Sequence, residues 1–238
     1  MIVTQAIDYA LEGKPHQGLL VRDDSRPTPG PTVLSFHAWD GRTDAHDAFA
    51  HRLAALGWTA FSVDLYGQGV VGNSPEECQA LMNPLIGDRA RLRALLLETV
   101  KVVGALPEVD AARMAAIGFC FGGLCVLDLA RAGAPLKGVA SFHGLFTPPG
   151  LPLVTPIGPK VVAYHGWSDP MAKPDSVVAF GEEFTAAGAD WQIHGFGGAL
   201  HAFMNEGSNM PEMGILYDAK VARRAWDGMS GFLTEVLV

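Results

Sequence analysis

The chain has 238 residues, 49% of them hydrophobic and 18% charged, and its 25 acids against 17 bases leave a net charge of −8. That balance excludes a disordered chain, and the lack of any Lys/Arg block argues against a nucleic-acid groove. Three cysteines are too few and too odd in number for a disulfide framework. The N-terminal run carries Asp8 and Glu12 where a secretory signal would be basic and then apolar, and no apolar stretch approaches the roughly 20 residues of a membrane helix. The expectation is a cytoplasmic protein with no membrane or nucleic-acid partner. With no linker and no internal repeat, it is expected to be a single domain over residues 1–238.

In chain order, short β-branched and apolar runs bounded by Gly, Pro or Asp predict strands over 18–21, 32–37, 59–63, 114–119, 138–142, 160–165 and 191–196. Several are apolar on both faces, as in a strand covered by helices on both sides. Helical periodicity predicts helices over 44–56, 88–106, 121–132, 175–187 and 218–237; the first ends at Gly57, a suitable left-handed cap. Alternation of strand and helix from residue 32 onward predicts an α/β fold: a mostly parallel sheet between two helix layers, with the N-terminal segment as an antiparallel edge. In such sheets ligands bind beyond the carboxyl ends of the strands.

The strand ending at Phe119 leads into Gly118-Phe119-Cys120-Phe121-Gly122, a nucleophile flanked two residues away on each side by glycine, followed by a helix. A sharp strand-to-helix turn of this kind exposes the central side chain and needs small neighbours. It also aims the first helix amides and the helix dipole at that side chain. Two later strand ends deliver Asp169, in Trp167-Ser168-Asp169, and His201, in Gly198-Ala199-Leu200-His201. The order nucleophile, acid, histidine is that of hydrolases with a nucleophile elbow, in which the histidine activates the nucleophile and the acid orients the histidine. Taken singly, Cys120 also fits a buried structural cysteine and Asp169 an ordinary turn.

These segments, together with Asp64-Leu65-Tyr66-Gly67 and Gly118-Phe119-Cys120-Phe121-Gly122-Gly123, resemble the dienelactone hydrolase family of the α/β-hydrolase fold. The resemblance implies Cys120 as nucleophile, His201 as general base and then acid, and Asp169 as its orienting partner. It also implies an oxyanion hole formed by the backbone N–H groups of Phe121 and Trp39. The expected reaction is hydrolysis of a small ester or lactone through a thioester, without cofactor or metal. Three positions depart from the family's pattern. Ala38 stands where dienelactone-opening enzymes carry a Glu. Asn205 replaces one carboxylate-binding Arg, and Glu76-Glu77-Cys78-Gln79 supplies no match for the other. Dienelactone itself is therefore not the expected substrate, because an Asn cannot reproduce bidentate Arg recognition.

Ala38, Trp167, Phe203 and Asn205 are the expected pocket residues. The segment 67–88 is expected to form a partial lid in which Met82 and Leu85 wall the pocket, or else a plain surface helix. Arg42 and Arg89 are candidates to hold an anion in place of the missing arginines, with solvation at the surface as the favoured reading of each. Neither H-E-x-x-H nor C-x-x-C occurs, and His46 and His51 are five apart, the wrong spacing for one helical face. Two other classes stay open: a binding protein on this fold, and a thiol sensor in which Cys78 resolves an oxidised Cys120. The sequence carries no signal for an oligomeric state.

Overall fold

The computed structural model describes all 238 residues. A hairpin of β1 (Ile2–Leu11) and β2 (Lys14–Asp23) opens the chain. Its two turn residues, Glu12 and Gly13, both have positive φ, the geometry that matches the twist of the paired strands. Then follow β3 (Gly30–Phe36), α1 (Asp44–Ala55), β4 (Thr59–Val63), α2 (Pro75–Ile86), α3 (Arg89–Gly104), β5 (Val109–Phe119) and α4 (Phe121–Arg131). The chain continues through β6 (Gly138–Phe142), β7 (Lys160–Gly166), α5 (Pro174–Ala186), β8 (Trp191–Phe196), the short pair β9 (Asn209–Met210) and β10 (Ile215–Leu216), and α6 (Ala219–Leu237).

Eight strands form one sheet in the order β1-β2-β4-β3-β5-β6-β7-β8, parallel from β4 to β8 and antiparallel at β1 and β2. Alternate residues feed opposite layers. Leu34, Phe61, Ala116 and Val161 face α3, α4 and α5, whereas Val33, Ala60, Ala115 and Val162 face α1 and α6. This two-sided burial explains why the central strands read as continuous apolar runs. It also explains why α4, lying under one face, is buried along its whole length.

Two elements differ from the sequence expectation, and residues 75–86 form the helix that is one of its two alternatives. The edge is a hairpin of two ten-residue strands rather than one short strand, since β1 is mostly solvent-facing and lacks a continuous apolar run. Residues 75–86 form a helix whose first turn is capped by the Ser74 hydroxyl, accepting from Glu77 N–H, and it continues through Pro84. Strand β5 starts five residues earlier than expected, over a stretch that is largely exposed. No helix is long and apolar enough to cross a membrane.

Candidate active site

The chain runs from β3 to β4 on one side and then returns to β5 on the other, so β3 and β5 lie side by side at the point where strand order reverses. Crevices form at such points. In register, Phe36 pairs with Gly118, Phe119 with Phe142, Phe142 with Tyr164 and Gly166 with Phe196. The loops after β3, β5, β6, β7 and β8 therefore open side by side at one edge.

Cys120 sits between β5 and α4 with φ 53° and ψ −110°, a strained conformation for a residue with a side chain. Its N–H is held by Phe142 O at 3.0 Å and by His143 Nδ1 at 3.1 Å. The glycines around it are sterically required. A Cβ on Gly118 would lie 2.0 Å from Gly122 O, and one on Gly122 would lie 2.2 Å from Phe36 O. No side chain caps α4, so the amide of Phe121, in the first turn, has no intrahelical acceptor and stands beside the thiol.

The loop after β3 brings the second free amide. Trp39 N–H has no protein acceptor. The peptide that carries it is fixed from the other end: Ala38 O accepts from His37 Nδ1–H at 2.6 Å, while His37 Nε2 accepts from Leu65 N–H at 3.2 Å. Tyr66 Oη donates to Trp39 O at 3.0 Å. The Asp64-Leu65-Tyr66-Gly67 motif thus acts as an anchor for this loop. Asp64 Oδ1 accepts from the N–H groups of Tyr66 and Gly67, Oδ2 accepts from Gln17 N–H, and Tyr9 Oη donates to Asp64 O.

Asp169 and His201 meet. His201 Nδ1–H donates to Asp169 Oδ2 at 2.7 Å, and both side chains are almost fully buried. Asp169 Oδ1 accepts from Met171 N–H at 2.8 Å, so both carboxylate oxygens are engaged. The His201 backbone bonds to Gly214 and Leu216, which holds its loop against β10. Burial alone would push the imidazole pKa down; Cys120 and Asp169 overcome it and raise the value to about 10. The other histidines at this edge are driven towards neutrality by burial: His37 and His143 lie below the ordinary range, and His46 falls to about 3.

A cavity of about 670 Å³ opens over Cys120 and His201. Ala38, Trp39 and Phe121 line it, as does Asn205. Two expected pocket residues lie elsewhere. Trp167 is half exposed in a shallow groove on the outer surface with Val177 and Trp191, and Phe203 is fully buried in the core against His143 and Phe196. From α2, Gln79, Met82 and Asn83 reach the cavity wall, whereas Leu85 turns into the core.

Arg42 and Arg89 are not solvated surface charges. Arg42 forms a two-point pair with Asp47 and Arg89 with Asp128, so neither is free to hold an anion. Among the charged residues lining the cavity, Asp40 and Glu206 stand against Arg52, whose guanidinium lies 3.8 Å over the Trp226 ring. Residues that the sequence reading passed over also line it, notably Phe49, His46 and His143. The signal for His143 was its position directly after the predicted strand 138–142.

The sequence profile of the dienelactone hydrolase family matches residues 17–237. The structure aligns over 100% of its length with m3DLH, covering 99% of that chain at 34% identity and a TM-score of 0.94. It aligns equally fully with a dienelactone hydrolase-like promiscuous phosphotriesterase from metagenomic libraries, covering 99% of that chain at 32% identity and a TM-score of 0.92. The "Putative carboxymethylenebutenolidase" of Aquifex aeolicus (strain VF5) is 27% identical over 215 residues, which is 87% of this chain and 89% of that protein. The match spans the loop after β3, the turn at Cys120 and both later loops: this chain belongs to the dienelactone hydrolase family and is a carboxylic ester hydrolase.

Proposed function

We propose that the protein hydrolyses an uncharged carboxylic ester or lactone through a Cys120–His201–Asp169 triad and a thioester intermediate. The observation that carries this reading is the buried 2.7 Å His201–Asp169 hydrogen bond beside a cysteine held in a strained elbow. His201, whose pKa is raised to about 10, takes the thiol proton of Cys120 as general base. The Cys120 sulfur attacks the acyl carbon, forming the C–S bond, and the carbonyl π pair moves onto oxygen. That oxyanion accepts from the N–H groups of Phe121 and Trp39, and a single such donor is worth about 3 kcal/mol. Collapse breaks the bond to the leaving oxygen, which takes the proton from His201. A water then gives a proton to His201 while its oxygen attacks the thioester, and the second collapse releases the acid and restores the sulfur.

An uncharged substrate follows from the walls. Ala38 and Asn205 offer no cation, Arg42 and Arg89 are each paired with a carboxylate, and the charged lining, Asp40 and Glu206 against Arg52, is acidic on balance. The three thiols are all free, which fits the cytoplasmic setting we assign. A second reading, phosphotriester hydrolysis by the same nucleophile, is favoured by the likeness to the promiscuous phosphotriesterase.

The test is a burst experiment with p-nitrophenyl acetate. One equivalent of p-nitrophenol should appear before the steady state, iodoacetamide should abolish it, and Cys120→Ala should lower turnover by at least about 1,000-fold. Wild-type turnover by Cys120→Ala would exclude the cysteine as nucleophile. Paraoxon in the same assay tests the second reading, whose support would be Cys120-dependent release of p-nitrophenol.

A further inference from the structure

His143 follows β6, the strand that lies between the one carrying Cys120 and the one leading to Asp169. Four observations single it out. Its backbone has φ 38°, a left-handed conformation in a residue with a side chain, kept although Gly144 stands next to it. Its ring is 2% exposed and lines the cavity. Its Nδ1 accepts from Cys120 N–H at 3.1 Å, which places the ring's proton on Nε2. That Nε2–H is buried and has no partner, a state that costs about 1–3 kcal/mol when nothing compensates.

The ring also packs edge-on against His201, with centroids 5.2 Å apart. His201 Nε2 is buried as well, with Cys120 as its neighbour and no other hydrogen-bond partner. The His143 Nε2–H, shut off and unpartnered in the resting protein beside the His201 ring, is satisfied by an atom that arrives only with a reacting molecule. In the mechanism proposed above the oxyanion accepts from the Phe121 and Trp39 amides, so it is not that atom.

We propose that His143 is a catalytic residue whose Nε2–H donates a hydrogen bond to the oxygen that exchanges a proton with His201. This proposal rests on the triad reading above. In acylation that oxygen is the leaving oxygen: one lone pair takes the His201 proton and the other accepts from His143. In deacylation it is the water oxygen: one hydrogen goes to His201, one lone pair attacks the thioester carbon, and the other accepts from His143. His143 stays neutral and transfers no proton.

Two substitutions separate this from a structural role. His143→Asn tolerates positive φ and keeps an acceptor where Nδ1 was, but has nothing at the place of Nε2. His143→Gln puts an amide donor near that place. His143→Asn should lose at least about tenfold in kcat, the worth of one hydrogen bond, with KM little changed. The loss should be larger for phenyl acetate than for p-nitrophenyl acetate, because the poorer leaving group depends more on protonation. Cys120 alkylation by iodoacetamide should keep its rate, and His143→Gln should recover part of the lost kcat. Wild-type kcat in His143→Asn, with Cys120→Ala inactive, would overturn the role of His143 and leave the triad standing. So would a fall in alkylation rate and Tm that matches the fall in kcat, or a glutamine variant no better than asparagine. Wild-type turnover by Cys120→Ala would instead remove the triad, and this proposal with it.

Discussion

Burial opposes a positive charge on His201. Cys120 on one side and the Asp169 carboxylate on the other are what lift its pKa from the ordinary 6.5 to about 10. Removing Cys120 takes away one of these supports while the ring stays buried, so the titration midpoint of His201 should fall in Cys120→Ala. Nitrogen-15 histidine NMR should find the ring doubly protonated at pH 8 in the wild type and titrating at lower pH in the variant; an unchanged midpoint would mean that the sulfur does not set the charge. The sign for stability follows. A folded value above the unfolded one contributes fully below pH 6.5, and the contribution is lost as pH rises towards 10. At this scale the sequence told much about Cys120, Asp169 and His201, because glycine spacing and strand ends mark them. It told little about His143, whose evidence is a backbone angle and an unpartnered nitrogen, neither of which leaves a pattern in the chain. Trp167 and Phe203 went astray for a similar reason: following a strand end places a residue near the site but does not fix which way its side chain turns.

The elbow is an element-scale device, since it works only if β5, α4 and β3 approach more closely than side chains allow. A Cβ at position 122 would meet the Phe36 carbonyl, which is backbone and cannot rotate away. Gly122→Ala should therefore push α4 from β3, cost about 1–3 kcal/mol by overpacking, and lower kcat by displacing the Trp39 amide from the Phe121 amide. Gly231→Ala is the matching control: it lies inside α6 with open space around its Cβ position, and should stabilise the protein by about 0.5–1 kcal/mol. Urea denaturation of both variants, with kcat measured on the folded protein, checks the pair; equal stability changes would show that the glycine pattern is not steric. The central strands were legible because burial on both faces makes them apolar runs bounded by Gly and Asp. The hairpin strand β1 was not, since its side chains mostly face water, and α2 was obscured by its Pro84 and by the glycine-rich approach to it.

Across the whole molecule, most charges lie at the surface, while one group of four is largely buried in the helix layer below the sheet. Arg131 is 1% exposed and spans Asp128 and Glu183, with bonds of 2.7 to 3.2 Å and a further one to Phe146 O. Asp128 also takes both nitrogens offered by Arg89, which reaches Thr147 O as well. Two arginines and two carboxylates are balanced, and together they tie α3, α4, α5 and the loop after β6 into one layer. Burial pushes the Asp128 carboxyl pKa up, and the two guanidinium groups oppose that shift. Removing one member leaves the rest charged and largely screened from water, which is why breaking a buried pair costs more than the intact pair contributes. Asp128→Ala leaves two arginines facing one carboxylate, and should destabilise the fold by about 3–5 kcal/mol. The residue lies two turns along α4 from the elbow, so kcat per folded molecule should be preserved. Denaturant midpoints and active-site titration of the same preparation test both halves: a stability loss under about 1 kcal/mol would mean that water reaches the arginines once the carboxylate is gone.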